Sequence, residues 1–298
     1  MTLANGARPV AAVDAVEAVD TVEGVGPEDG AWADEAWCGQ FGRVLRAEWT
    51  KLRTAGGTGR LLLLAVVLTA AVGWGTAKAV KCRDAGCGED AVRLALTGVT
   101  VGQAVIATLA VLVVSGEYGT GMIRTTLTAV PNRLTLLAAK ATVLTGVVLA
   151  AGTAAVLASL LAGHYVLPGS GFTEAHGFSP LSLADGPTLR AAAGSVLYLA
   201  LVALLGLGIA TAVREAATAT GIVLGLLYLF PVVAQVVHDP EWQRHLQQIS
   251  PMTAGLAVQA TVRLDRLPLG PWAGLGVLAT WAAAALLVGG LLLHRRDA

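Results

Sequence analysis

The chain has 298 residues, of which 55% are hydrophobic and 13% charged; its mean hydropathy is +0.68 and its formal net charge zero. A soluble domain is about 25% charged, so this composition belongs to a chain whose main solvent is lipid. It excludes most soluble chemistry, and no nucleic-acid partner is expected.

The charge is unevenly spread. Residues 1–40 hold eight acids (Asp14, Glu17, Asp20, Glu23, Glu28, Asp29, Asp34, Glu35) and one base, Arg8, a net of −7 that the rest of the chain balances. Acid-rich, broken by Gly and Pro and poor in bulky apolar residues, this stretch cannot bury enough surface to offset its ordering entropy. It is predicted as a disordered tail, with residues 41–298 as a membrane domain. No cleavable signal peptide is read, and the first apolar stretch is expected to act as an uncleaved anchor.

Phe41–Thr54 reads as a basic amphipathic helix. Phe41, Val44, Leu45, Glu48, Trp49 and Leu52 fall on one stripe, and all but Glu48 are apolar. Arg43, Arg46, Lys51 and Arg53 lie off it. A helix of this kind suits the headgroup layer, with Arg46, Glu48, Trp49 and Lys51 as its characteristic residues.

Six apolar stretches follow: Leu61–Ala77, Leu94–Val114, Ala141–Leu167, Ala191–Val213, Ala216–Val237 and Trp272–Leu293. None contains Asp, Glu, Lys or Arg. Crossing the ~30 Å hydrocarbon layer takes about 20 apolar residues, so each predicts a transmembrane helix. The fold class expected is therefore an all-α membrane protein with six transmembrane helices. With the amino terminus inside, eleven Lys and Arg flank the inner side and eight the outer. The positive-inside rule thus places both termini in the cytoplasm.

Cys82 and Cys87 share the loop after the first stretch. They form either a small disulfide, should that loop face an oxidising exterior, or two free thiols. The loop has no His and too few ligands for a metal. After the second stretch comes Ser115–Lys140. Gly116, Gly119 and Gly121 allow a sharp turn there, and Met122–Ala129 predicts a short helix across the inner face, ended by Pro131. In the second and fifth stretches Gly98 and Gly102, then Gly221 and Gly225, put two glycines on one helix face for close helix approach. That face packs within the bundle or lines a dimer interface or pathway. Gln103 and Thr108 are candidates for interhelical hydrogen bonds. In the outer loop, Pro240–Gln248 predicts a short polar helix, and Met252–Val262 an apolar segment entering the membrane edge against protein. No phosphate-binding loop, H-E-x-x-H or G-x-S-x-G occurs, and the apolar stretches hold no carboxylate or His pair for ion-driven transport. Enzyme chemistry is not expected.

Glu117-Tyr118, Gly121, Arg124-Thr125-Thr126-Leu127 and Val130-Pro131-x-Arg133, with Ala139-Lys140 opening the third stretch, resemble the inner loop of type-2 ATP-binding-cassette (ABC) exporter permeases of bacteria. Arg46–Arg53 resembles that family's amino-terminal interfacial helix, and Arg295-Arg296-Asp297 its usual end. The resemblance covers residues 41–298. It implies a permease chain in the bacterial cell membrane, paired with a second permease chain and driven by a cytosolic ABC ATPase. ATP and Mg would sit on that partner, and this chain would bind no cofactor. The loop helix would be a cytoplasmic coupling helix, with Glu117, Arg124 and Arg133 as charged contacts beside Tyr118 and Gly121 as the shaping residue. Gly98, Gly102, Gln103, Gly221 and Gly225 would lie near the dimer axis. A pathway lined mainly by Ala, Val, Leu, Gly and Thr favours an amphipathic or hydrophobic cargo. The competing reading is a polytopic membrane protein working without an ATPase, such as an immunity factor, sensor or scaffold.

Overall fold

The computed structural model describes residues 28–82, 88–129, 132–173, 178 and 181–295. Among them helices are the only regular elements: α1 (Glu28–Thr54), α2 (Gly56–Ala79), α3 (Ala91–Ala95), α4 (Val99–Gly119), α5 (Met122–Ala129), α6 (Arg133–Val166), α7 (Gly186–Val213), α8 (Ala216–Val236), α9 (Pro240–Ile249), α10 (Pro251–Leu256) and α11 (Pro271–Arg295). A single 3-10 turn joins α3 to α4. Six helices are long and apolar enough to cross a membrane: α2, the α3–α4 rod, α6, α7, α8 and α11. The fold is that of a multi-pass membrane protein.

The chain divides into two units, Met1–Gln40 and Phe41–Ala298. In the first unit α1 starts at Glu28, so residues 28–40 are helical where disorder is expected.

Within Phe41–Ala298, α7 is central and packs on α4, α6, α8 and α11, while α2 packs on α4 and α6. Lipid tails are as apolar as leucine, so such packing rests on close van der Waals fit rather than on hydrophobic transfer. The α7–α11 contact shows this. A Cβ at Gly208 would lie 2.5 Å from the Ala285 carbonyl carbon, and one at Gly289 would lie 2.6 Å from the Gly208 oxygen. The two backbones touch because neither position carries a side chain.

The segment after α9 is buried against protein. Ser250 caps α10, and Ala254 through Ala260 are buried. Val258 fits over Gly194 on α7, and the Ala254 carbonyl over Gly274 on α11. Protein thus covers the irregular backbone at residues 257–260.

Side-chain caps set many helix starts: Asp90 on α3, Asn132 on α6, Glu215 on α8, Asp239 on α9. Each accepts from backbone N–H groups that have no partner within the helix. Glu215 gives a pH prediction. Hydrogen bonds from Thr218, then from the Ala217 amide, hold its carboxyl below the ordinary value of 4.5. A carboxyl more acidic in the folded state stabilises fully above its unfolded pKa and loses that contribution as pH falls through the folded one. Amide exchange at the start of α8, corrected for intrinsic rate, should therefore rise as pH drops below 4.5. Glu215→Gln should show no such step. A flat wild-type profile would refute the cap's role.

Candidate functional site: a buried charge quartet beside the loop helix

Glu48 and Lys51 lie one turn apart on α1, Glu117 is in the last turn of α4, and Lys140 is two turns into α6. Their side chains meet. Lys140 Nζ is 2.7 Å from Glu48 Oε2 and 2.6 Å from Glu117 Oε1; Lys51 Nζ is 2.8 Å from Glu48 Oε1 and 3.0 Å from Glu117 Oε1. The side chains of Glu48 and Lys140 are 3% and 5% exposed, against 33% for Lys51. Two carboxylates and two ammonium groups sum to zero, the condition under which charges can leave water without prohibitive cost.

Lys51 also donates to Thr126 Oγ1 on α5, at 3.4 Å. One ammonium therefore touches α1, α4 and α5. Burial alone would lower its pKa; the hydrogen bonds it donates to Glu48 and Glu117 outweigh this and hold it above the ordinary 10.5. Its contribution is complete below 10.5 and is lost only as pH rises beyond that.

Apolar packing backs the quartet. Val44 on α1 is buried with Leu136 and Ala139 on α6, flanked by Phe41 and Leu45. Val44 and Glu48 of the predicted stripe are thus buried against protein. Trp49, at 51% exposed, and Arg46 remain outside. The reason is Glu48: a carboxylate on an apolar stripe needs a buried cation, and Lys140 supplies it. Beside the quartet a cleft of about 470 Å³ runs between α2 and α4, lined by Lys51, Leu52, Leu61, Leu109, Leu112 and Val113.

The residues expected to contact a partner separate. Glu117 is 8% exposed and pairs with Lys51 and Lys140. Arg133 Nη1 donates to the Leu293 carbonyl at 2.6 Å, joining the start of α6 to the end of α11. The half-buried Tyr118 ring lies 5.2 Å beneath the Arg214 guanidinium, within cation–π range. Gly121 is exposed at φ +71°, with open space at its Cβ position. It alone of the three loop glycines takes the left-handed turn, since α4 continues through Gly116 to Gly119. The Arg124 side chain lies outside the described residues.

The glycine pairs differ. A Cβ at Gly98 would lie 1.8 Å from the Thr69 carbonyl oxygen, and one at Gly102 would lie 2.0 Å from Thr69 Oγ1. This pair packs closely on α2 within the chain, the packing alternative of the two readings. Gly221 and Gly225 have open space around them. Gln103, fully buried, accepts from the Tyr198 hydroxyl across α4 and α7. Thr108 bonds only to Ala104 in its own helix. Cys82 is disulfide-bonded; Cys87 lies outside the described residues.

Sequence reasoning missed Lys140 as a site residue, and Asp90. The signal for Lys140 was present: a lone Lys at the mouth of an apolar stretch, with lone acids at Glu48 and Glu117. Asp90 left no comparable signal, because its partners are three backbone amides and one hydroxyl, none of them charged. Its carboxylate accepts from the Arg93 amide, from Thr261 N and Oγ1 and from Val262 N, tying the start of α3 to the segment after α10.

No group of His, Cys, Asp or Glu among the described residues could hold a metal ion. The chain matches no protein-family model and no curated protein.

Proposed function

We propose that the chain is the membrane-spanning permease subunit of a bacterial ABC transporter, forming the path by which an amphipathic or hydrophobic substrate is exported. A cytosolic ATPase drives it, and a second permease chain completes the path. The observation that carries this reading is the fixed linkage of α5, the short helix after the second long apolar rod, to α1 and α6 through Lys51, Glu117 and Lys140. A force on α5 from below would move three elements together. α5 then acts as the coupling helix, docked in the ATPase, and residues 41–54 as a helix at the inner membrane surface. ATP binding draws two such helices together, and rigid rods pass the movement to the outer half. The exposed Thr125 and Thr128, with Arg124, form the docking contact. Glu117 and Lys51 position α5 rather than touch the ATPase. The cleft beside the quartet suits an amphipathic cargo, with its apolar wall and charged end.

The test is purification from detergent with candidate cytosolic ATPases encoded nearby, followed by transport in liposomes. A stable complex whose ATP hydrolysis rises with substrate is expected. Arg124→Ala should lower coupled transport by about tenfold, the effect of one charge-assisted contact, and leave the amount of folded permease unchanged. Activity of the purified chain alone in liposomes would overturn the reading in favour of an ATPase-independent protein.

A further inference from the structure

Three arginines surround a cavity of about 370 Å³ on the face that carries α9 and α10. Arg93 comes from α3, and Arg263 and Arg266 from the loop between α10 and α11. All three are exposed, and none of their guanidinium groups has a hydrogen bond or ion pair among the described residues. Arg263 precedes the 3-10 turn Leu264–Arg266 and Arg266 ends it, so a spacing of three sets them on one side. The carboxylates in the wall are Glu89 and Asp90, and Asp90 is taken up by its hydrogen bonds to Arg93, Thr261 and Val262. Those bonds join the two walls, so the arginines sit on a braced frame.

The backbone is shaped to place them. Arg263 has φ +53°, a left-handed conformation costly for a residue with a side chain. Its guanidinium lies over Gly88, itself at φ +71°, where a Cβ would be 2.5 Å from Arg263 Nη2. A side chain there would push the guanidinium aside. Leu94, Val262 and Leu267 supply an apolar wall at the same cavity.

We infer that this cavity binds a phosphate-type anion, held by Arg93, Arg263 and Arg266. The planar, forked guanidinium matches tetrahedral oxyanions bidentately. Such an anion comes from either a soluble phosphate compound or an anionic phospholipid headgroup, whose first acyl carbons would meet Leu94, Val262 and Leu267. This site is independent of the transporter reading.

The experiment has two arms on the full chain in detergent. Inorganic phosphate is titrated by calorimetry, and phosphatidylglycerol is counted by native mass spectrometry. Binding should weaken about tenfold for each arginine removed, in Arg266→Gln and again in Arg263→Gln. Gly88→Ala, which displaces Arg263 without removing a charge, should weaken it too. Arg244→Gln, on α9 outside this cavity, should not. Arginine-dependent binding in the phosphate arm assigns a soluble anion; in the lipid arm alone, a headgroup. Absence of binding in both arms, or binding unaffected by Arg266→Gln, overturns the inference. The Arg266 side chain makes no hydrogen bond or ion pair among the described residues, so that variant tests the site with the fold intact.

Discussion

Lys140→Met should destabilise the folded chain by about 3–5 kcal/mol, the cost of leaving a buried charge without its partner. Glu48 and Glu117 would then share only Lys51, which is one-third exposed. Thermal unfolding in detergent reads the loss. Adding Glu48→Gln and Glu117→Gln to Lys140→Met should recover most of it, because removing every buried charge is often close to neutral. Lys51→Met should cost less than Lys140→Met, since water reaches its ammonium. A loss under about 1 kcal/mol for Lys140→Met, the scale of a surface ion pair, would show that the quartet does not hold α1, α4 and α6 together. The same series separates support from coupling: a stable but quartet-free variant that no longer transports would give the charges a role in motion as well as in folding.

Gly98→Val should be the most damaging of the glycine substitutions, costing about 1–3 kcal/mol or more as overpacking. Its first added carbon would lie 1.8 Å from a backbone oxygen on α2, which cannot rotate away. Gly102→Ala meets the Thr69 hydroxyl instead; that group can turn, but only by giving up its bond to Ala65 O at 2.7 Å. Gly221→Ala, with open space on its helix face, should be neutral for the single chain. Thermal stability and elution volume measured together check both points. Equal stability of Gly98→Val and wild type would sink the close-packing account. A change in elution with Gly221→Val at unchanged stability would mark that face as a contact between copies.

The six long apolar helices were legible because length and the absence of charge report lipid solvation directly. Their ends were not. α6 begins at Arg133 rather than Ala141, and α4 runs to Gly119 rather than Val114. Excluding charged residues cuts a helix where a charge stands, yet Lys140 and Glu117 neutralise each other and the helix passes through them. Residues 41–52 are helical, but the spacing of the apolar positions in their stripe cannot tell which of them meet protein: Val44 is buried and Trp49 is exposed. The lone Glu48 on that stripe was the discriminating residue. The glycine pairs show the same limit: Gly98/Gly102 and Gly221/Gly225 have one spacing and opposite surroundings. Asp90 was unreadable, since its partners at Thr261 and Val262 are 171 and 172 residues away.

The quartet also bears on how the chain is made. Its members leave the ribosome in the order Glu48, Lys51, Glu117, Lys140, and a product stopped before residue 140 holds two acids against one base. Such a fragment has the first two hydrophobic rods in full but carries an unbalanced negative charge where α1 meets the end of α4. Arrival of the third rod, with its lysine, makes the junction neutral, so the amino-terminal half reaches its finished arrangement only after that rod has been delivered.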